Sequence, residues 1–459
     1  NMARSLIVID QYNIDWLDRA RSVDDGDEWH LLVLRVSELV FMRRFGGQLA
    51  QLGNWRTITL APHALEAHRL VGEFVLSYIN ELPDQDLAGE TLAQGLGKHW
   101  WFLPITEKSP FRPPLVSQLY QLSIFHLVLK QSSYDEIWLA ASDALLSEAI
   151  SSAEGLPSLV NAADRPYTVA NPFVRYWLHA ARAFGGWLIE RAMLWMRGWR
   201  FDSVLGGLAV LTFFPYWWTQ PFSQNAVERF FAVPPDDDAD SFYLAWLTHP
   251  QEVWRRWRAA AITLRLKRIV PLQSFVGLGD ALRIMVMPKT LSFQWRYETR
   301  LRRWLKARFL HFDVSNLISE EVSRSLSSSE LVFCQLFEAA FSNFSRRVRT
   351  RAILYRVEFQ PWESAVLLGV GGRAAVAGFY HPPFRLNHLP LRFASGELAA
   401  HIRGERGERD RPIPKAMLAT GDVAAGHLTD HGYPRGRIAI CGPQRHGALI
   451  DYLRWRVEY

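Results

Sequence analysis

Cysteine is almost missing from this chain. Cys334 and Cys441 are the only two in 459 residues, far apart and without a CxxC partner. That excludes a disulfide framework and a thiolate zinc site, and it makes a reducing compartment the expectation. Catalytic signatures are missing too. No GxxxxGK[ST] loop, no GxGxxG at a first strand-to-helix turn, no HExxH and no GxSxG in a strand–turn–helix context occurs. Kinase, NAD-dependent dehydrogenase, zinc protease and α/β-hydrolase readings therefore lose support. The nearest match to a metal-holding DxD, Asp236-Asp237-Asp238, sits in a Pro-flanked turn and reads as a solvated loop. No metal and no resident cofactor are expected. No secretory leader with a basic start, apolar stretch and cleavage site is evident at the start. Long uncharged stretches are scarce as well. Ser203 to Val227 is one, but Pro215 and Pro221 interrupt it, whereas a spanning helix needs ~20 predominantly apolar residues. An interfacial or re-entrant segment fits it better than a span.

What is present describes a folded protein. Hydrophobic residues make up 49% and charged residues 21%, a globular composition with enough apolar side chains for more than one core. The length suits two or three domains. Lys and Arg number 52 against 46 Asp and Glu, a net charge of +6. That excess suits an acidic partner: a phosphorylated substrate, an anionic lipid surface or nucleic acid.

Apolar periodicity predicts an α/β chain. Residues 5–9 read as a buried strand, 31–45 as a helix, 55–60 as a strand and 63–80 as a helix. Residues 98–104 form an aromatic strand or loop, and a helix opened by Pro113 and Pro114 runs to Lys130. A strand over 136–141 leads to Ser142-Asp143 and a helix over 144–153. Later, strands over 352–357, 373–380, 415–420 and 437–441 alternate with helices over 361–370 and 421–431. Such alternation implies parallel, Rossmann-like sheets.

Between them, 19 Trp in the whole chain concentrate beside Arg. Trp177, Trp187, Trp195, Trp199, Trp217 and Trp218 interleave with Arg175, Arg182, Arg191, Arg197 and Arg200, and basic aromatic helices follow over 253–268 and 293–308. Rings at the headgroup boundary with guanidinium groups on phosphate would suit an anionic membrane surface. Ordinary solvated helices with Trp in a core fit the pattern equally. Nucleic acid is the weakest alternative, with no known binding motif behind it.

Ligands in open α/β sheets sit beyond the carboxyl ends of the strands. Four such ends lie in the last region: Glu358-Phe-Gln360-Pro-Trp-Glu363, His381-Pro382, Thr420-Gly421-Asp422 and Gly442-Pro-Gln-Arg445. They offer carboxylates for ribose hydroxyls, an imidazole, a helix N-terminus and an Arg for phosphate. Glu358, Gln360, Glu363, His381, Gly421, Gly442 and Arg445 are the candidate donor-binding residues for a nucleotide or nucleotide sugar. An ordinary turn or core histidine is the plain alternative for His381.

Glu358-x-Gln360-x-Trp362-Glu363, Gly378-Phe-Tyr-His381, the Gly421…His431-Gly432-Tyr433-Pro434 helix and Gly442-x-x-Arg445 together resemble a group of bacterial surface-carbohydrate biosynthesis proteins regarded as glycosyltransferases. Trp100-Trp101…Glu107-Lys108-Ser109-Pro110 looks like the amino-terminal signature of the same group. The resemblance is firm over residues 98–112 and 352–447. Members often carry Gln-His where this chain has Tyr380-His381, so no amide contact is available there. His381-Pro382 is also similar to the His-Pro element of bacterial sialyltransferases, which suggests a CMP-linked ulosonic acid donor. The resemblance implies a GT-B-like α/β fold of two Rossmann-like domains facing a cleft, with a helical, Trp/Arg-rich central region. Boundaries follow at 1–165, 166–326 and 327–459, the first on the acceptor side and the last binding a nucleotide sugar. The implied partners are the nucleotide sugar as substrate, a glycan or lipid-linked glycan acceptor, and an anionic membrane surface on the cytoplasmic side, with no nucleic acid. A general base would come from the first domain, with Asp143 and Glu107 as the catalytic candidates. The plain alternatives are a helix N-cap for Asp143 and a surface ion pair with Lys108 or Arg112 for Glu107. A non-catalytic assembly protein keeping the fold is the rival function.

Overall fold

The computed structural model describes residues 4–10, 14, 16–21, 28–34, 38–50, 53–87, 89–108, 114–161, 172–196, 207–223, 226–228, 241–286, 300–380, 389, 393, 398 and 411–441. The chain divides into two compact units, 1–91 with 108–171 and 295–324, and 92–107 with 172–294 and 325–459.

The first unit holds a parallel sheet of β1 (Arg4–Ile9), β2 (Glu28–Val33), β3 (Trp55–Thr57), β4 (Glu136–Ala140) and β5 (Ser158–Asn161), in the order β3-β2-β1-β4-β5. The chain begins in the middle, winds out one way, and returns to wind out the other. Ile7 of β1 is in register with Leu31 on one side and Trp138 on the other. The inner strands β1, β2 and β4 are buried along nearly their whole length because both faces are covered. Trp29 and Trp138 meet edge-to-face at 5.7 Å in that core. Helices α1 (Glu38–Leu49), α2 (Ala61–Glu81), α3 (Pro114–Gln131) and α4 (Ala144–Ser151) accompany it. The expected helix over 31–45 is wrong in its first part. Leu31, Leu32 and Val33 are fully buried in β2, and a short apolar run carries no period that separates strand from helix.

The second unit carries seven parallel strands: β6 (Leu208–Phe214), β7 (Phe242–Leu247), β8 (Ile269–Pro271), β9 (Ala352–Arg356), β10 (Ala375–Tyr380), β11 (Ala416–Ala419) and β12 (Ile438–Ile440). Their order is β8-β7-β6-β9-β10-β11-β12. The sheet winds outward from β6 in one direction and from β9 in the other, so β6 and β9 flank the point where strand order reverses. Around it lie α5 (Pro172–Met196), α6 (Trp257–Leu266), α7 (Leu278–Val286), α8 (Ser329–Arg347), α9 (Pro361–Val370) and α10 (Asp422–Asp430). Helices α8 and α9 approach closely at Gly369, where an added Cβ would lie 2.7 Å from the Glu338 carbonyl oxygen.

The four carboxyl-terminal strands stand where the sequence predicts them. The central region does not form a helical domain of its own. It supplies β6, β7 and β8 to the same sheet as residues 327–459. Within the uncharged run 203–227, Leu208–Phe214 form buried β6 rather than an interfacial segment: Ala209, Leu211 and Phe214 are fully buried. Trp187, Trp217, Trp218 and Trp257 are core residues, whereas Trp195, Trp254 and Trp304 are exposed. Among the described residues no helix is long and apolar enough to cross a membrane.

Candidate functional site at the carboxyl edge of the second sheet

The switch point of a doubly wound sheet is the natural ligand site of that architecture, because the two diverging halves leave a crevice at the carboxyl ends of the flanking strands. Here those ends are Phe214 of β6 and Arg356 of β9. Beyond β6 the chain turns through Pro215 to Trp217, and the Arg356 guanidinium lies over the Trp217 ring at 5.3 Å. Arg356 also forms an ion pair with Glu358.

Past β9 the backbone takes an unusual course. Phe359 has φ +57°, a left-handed conformation that costs a non-glycine residue about 1–2 kcal/mol. Such strain persists only where surrounding contacts impose it, and here they are visible. Glu363, in the first turn of α9, accepts through one oxygen, Oε1, from the backbone N–H of Glu358 at 2.7 Å and of Gln360 at 2.9 Å. The two donors flank Phe359. From the other side Arg411 donates to the Phe359 carbonyl at 3.1 Å, with its guanidinium over the rings of Phe359, Phe393 and Trp101. Pro361 at the start of α9 loses nothing by lacking an N–H, and the Gln360–Glu363 pair forms a capping box.

The side chains extend the network. Gln360 donates to Glu358 Oε2 at 2.9 Å and accepts from the Trp362 indole at 2.7 Å. Glu363 is 3% exposed. Burial pushes its carboxyl well above the usual range, against the pull of the Gln360 backbone, Arg411 and Arg356, and Glu107 adds to the rise. Its second oxygen, Oε2, is buried without a well-formed hydrogen bond. The Tyr355 hydroxyl, raised by burial first and by Glu363 second, interacts with this carboxyl.

The expected residues fall into three groups. Glu358, Gln360 and Glu363 come together as described, and Glu107 joins them. Residues 97–102 form a 3₁₀ turn that buries Trp100, Trp101 and Phe102 and packs against α8 and α9. His99 reaches Glu338 at 3.4 Å, and Lys98 pairs with the same carboxylate. Glu107 thus belongs to the second unit, not to an amino-terminal domain. Lys108 after it is fully buried at φ +56°, which removes the reading of an exposed Glu107–Lys108 pair. Gly421 opens α10, and among the described residues nothing lies within 4 Å of where a Cβ would stand. His381, Gly442 and Arg445 lie outside the described residues, as do Arg112 and Asp236-Asp237-Asp238.

Asp143 takes the plain alternative. It is the N-cap of α4, accepting from Leu146 N–H at 3.2 Å through one oxygen and from the Gln118 amide at 2.6 Å through the other. Its own N–H, with the N–H and hydroxyl of Ser142, donates to the buried Asp10 carboxylate at the end of β1. The first sheet's switch point, between β1 and β4, is therefore filled by the unit's own anion where a phosphate would otherwise sit.

Arg411, Trp217, Tyr355 and Asp10 are the residues that sequence reasoning missed. Arg411 follows a stretch of sequence rich in Arg, Gly and Glu, and only tertiary structure shows that it is 5% exposed. Asp10 was legible as the polar residue ending the first apolar strand. Tyr380, beside His381, hydrogen-bonds His427 at 3.0 Å, and burial pushes its hydroxyl up to about 12.

No family model, curated protein or solved structure matches the chain. Among the described residues no group of His, Cys, Asp or Glu is arranged to hold a metal ion.

Proposed function

We propose that this protein is a glycosyltransferase of the GT-B kind, using a nucleotide-activated sugar to build bacterial surface polysaccharide, with the donor at the carboxyl edge of the seven-stranded sheet. One observation carries the reading. Two segments far apart in sequence, Trp100–Glu107 and Arg356–Glu363, meet in one unit at the end of the strand beside its switch point. There they hold a strained peptide and a buried carboxyl, Glu363, beside the Tyr355 hydroxyl. Neighbouring strand ends lead to Gly421 and, in sequence, to His381 and Arg445. A CMP-linked ulosonic acid is the donor that His381-Pro382 suggests, and the acceptor is a glycan or lipid-linked glycan.

Of the two carboxylates expected as general base, the proposal keeps Glu107. It shares a unit with the donor-side strand end, whereas both Asp143 oxygens are committed to Leu146 and Gln118. A second reading is a non-catalytic assembly protein, favoured by the pairing of Glu358 and Gln360 with each other rather than toward open space. Release of nucleotide from candidate donors separates the two. Turnover by the full chain, lowered ~10²–10⁴-fold in Glu107→Gln with nucleotide affinity kept, supports the enzyme and its base. Nucleotide-sugar binding without any turnover supports the assembly protein.

A further inference from the structure

Helix α5 is unusual for a surface helix. It runs 25 residues, about 37 Å at 1.5 Å per residue. One face is buried through Tyr176, Ala180, Trp187 and Leu194. The opposite face stays apolar yet exposed: Val174 52%, Leu178 54%, Leu188 41%, Ile189 56% and Trp195 81%. These positions recur at helical spacing from the first turn to the last, so they form a stripe rather than scattered singles. The neighbouring α7 repeats the pattern. It turns Ala281 and Ile284 inward, and Tyr176 of α5 donates to the Ile284 carbonyl at 3.0 Å. Leu278, Leu282 and Val286, one turn apart, are 56%, 42% and 53% exposed.

The exposed charged side chains of α5 and α7 are basic, Arg182 and Arg283. Glu190 of α5 is 6% exposed, and burial pushes it up to about 8, so it is uncharged near neutral pH. Asp280 of α7 accepts from Asn343 at 2.8 Å and pairs with Arg283.

We propose that the face formed by α5 and α7, which pack against each other in the second unit, is a membrane-docking surface that seats on an anionic lipid bilayer without crossing it. Apolar stripes edged by guanidinium groups, with a Trp at one end, match the headgroup layer: chains below, phosphates beside the Arg, indole at the boundary. A second copy of this chain fits less well, because two such faces would bring like charges together. This surface is independent of the donor site, so either can fail alone.

Co-sedimentation of the full chain with vesicles tests it. Binding is expected to phosphatidylcholine vesicles containing phosphatidylglycerol, to weaken at high salt, and to be feeble on phosphatidylcholine alone. Leu178→Glu with Leu282→Glu, both exposed positions that should leave folding intact, should lower partitioning about tenfold or more. Arg182→Glu with Arg283→Glu should lower it on anionic vesicles only. Circular dichroism and melting temperature check that each variant is folded. The proposal is overturned if the wild type ignores anionic vesicles, if it binds neutral ones equally, or if the Leu pair binds like wild type. A wild-type dimer in sedimentation that the Leu pair abolishes would also overturn it, giving the face to self-association.

Discussion

Replacing Glu363 separates the role of its oxygen from the role of its charge. In Glu363→Ala the N–H groups of Glu358 and Gln360 lose their acceptor at 2.7 and 2.9 Å. Each partly buried donor left unpaired costs about 1–3 kcal/mol, so for the two donors a loss of about 2–6 kcal/mol is expected. The left-handed Phe359 then has no carboxylate on either side, and Glu358 and Gln360 shift with it. Nucleotide affinity should fall tenfold or more. Glu363→Gln keeps an acceptor oxygen in the same place. The native carboxyl is held above its usual range by burial, so exchanging it for a neutral amide removes little, and stability should stay within about 1 kcal/mol of wild type. Urea denaturation gives the stabilities and calorimetry the affinities. Equal stability of the Ala variant and wild type would refute the clamp. A Gln variant as damaged as the Ala variant would show that charge, not the shared acceptor, holds the loop.

Asp143→Ala should cost ~1 kcal/mol, the value of an N-cap, with nucleotide affinity unchanged. A loss of turnover beyond what unfolding explains would return Asp143 to the reaction. His381→Ala and Arg445→Ala should each weaken nucleotide binding by about 1.5–3 kcal/mol, the worth of hydrogen bonds to charged groups, with little change in melting temperature; unchanged affinity in both would remove them from the donor site. Glu190 gives a pH signature. Its pKa rises from 4.5 to about 8 on folding, chiefly through burial. Between those values the unfolded chain has lost the proton and the folded chain keeps it, so stability falls as pH rises through that window and levels off above it. The total is at most about 5 kcal/mol at 1.36 kcal/mol per unit. Glu190→Gln should flatten this part of the profile and raise stability at pH 8. An unaltered slope would mean that Glu190 is ionised in the folded state.

The carboxyl-terminal half-sheet was legible because each strand there is an apolar run followed by Gly or Pro, with helices over 361–370 and from 422 between two of the pairs. The half built from β6, β7 and β8 was not. Leu208–Phe214 and Phe242–Leu247 are apolar throughout, so they show no alternation, and the Trp and Arg around them imitate an interfacial helix. The candidate site divides in the same way. Glu358-Phe-Gln-Pro-Trp-Glu363 announces a strand end and a helix start, and both are found. Local pattern cannot show that Trp101 and Arg411 reach the same loop from 258 and 52 residues away, counting from Phe359; that depends on tertiary packing. Asp143 reads equally as a cap and as a base, because both roles put a carboxylate at a strand's carboxyl end.

Titration of the intact protein with CMP, UDP, GDP and TDP in a calorimeter tests the central claim most directly. The account predicts saturable one-site binding of at least one of them, weakened tenfold or more in Glu363→Ala and retained in Glu363→Gln. No heat of binding from any of the four at millimolar concentration would contradict it.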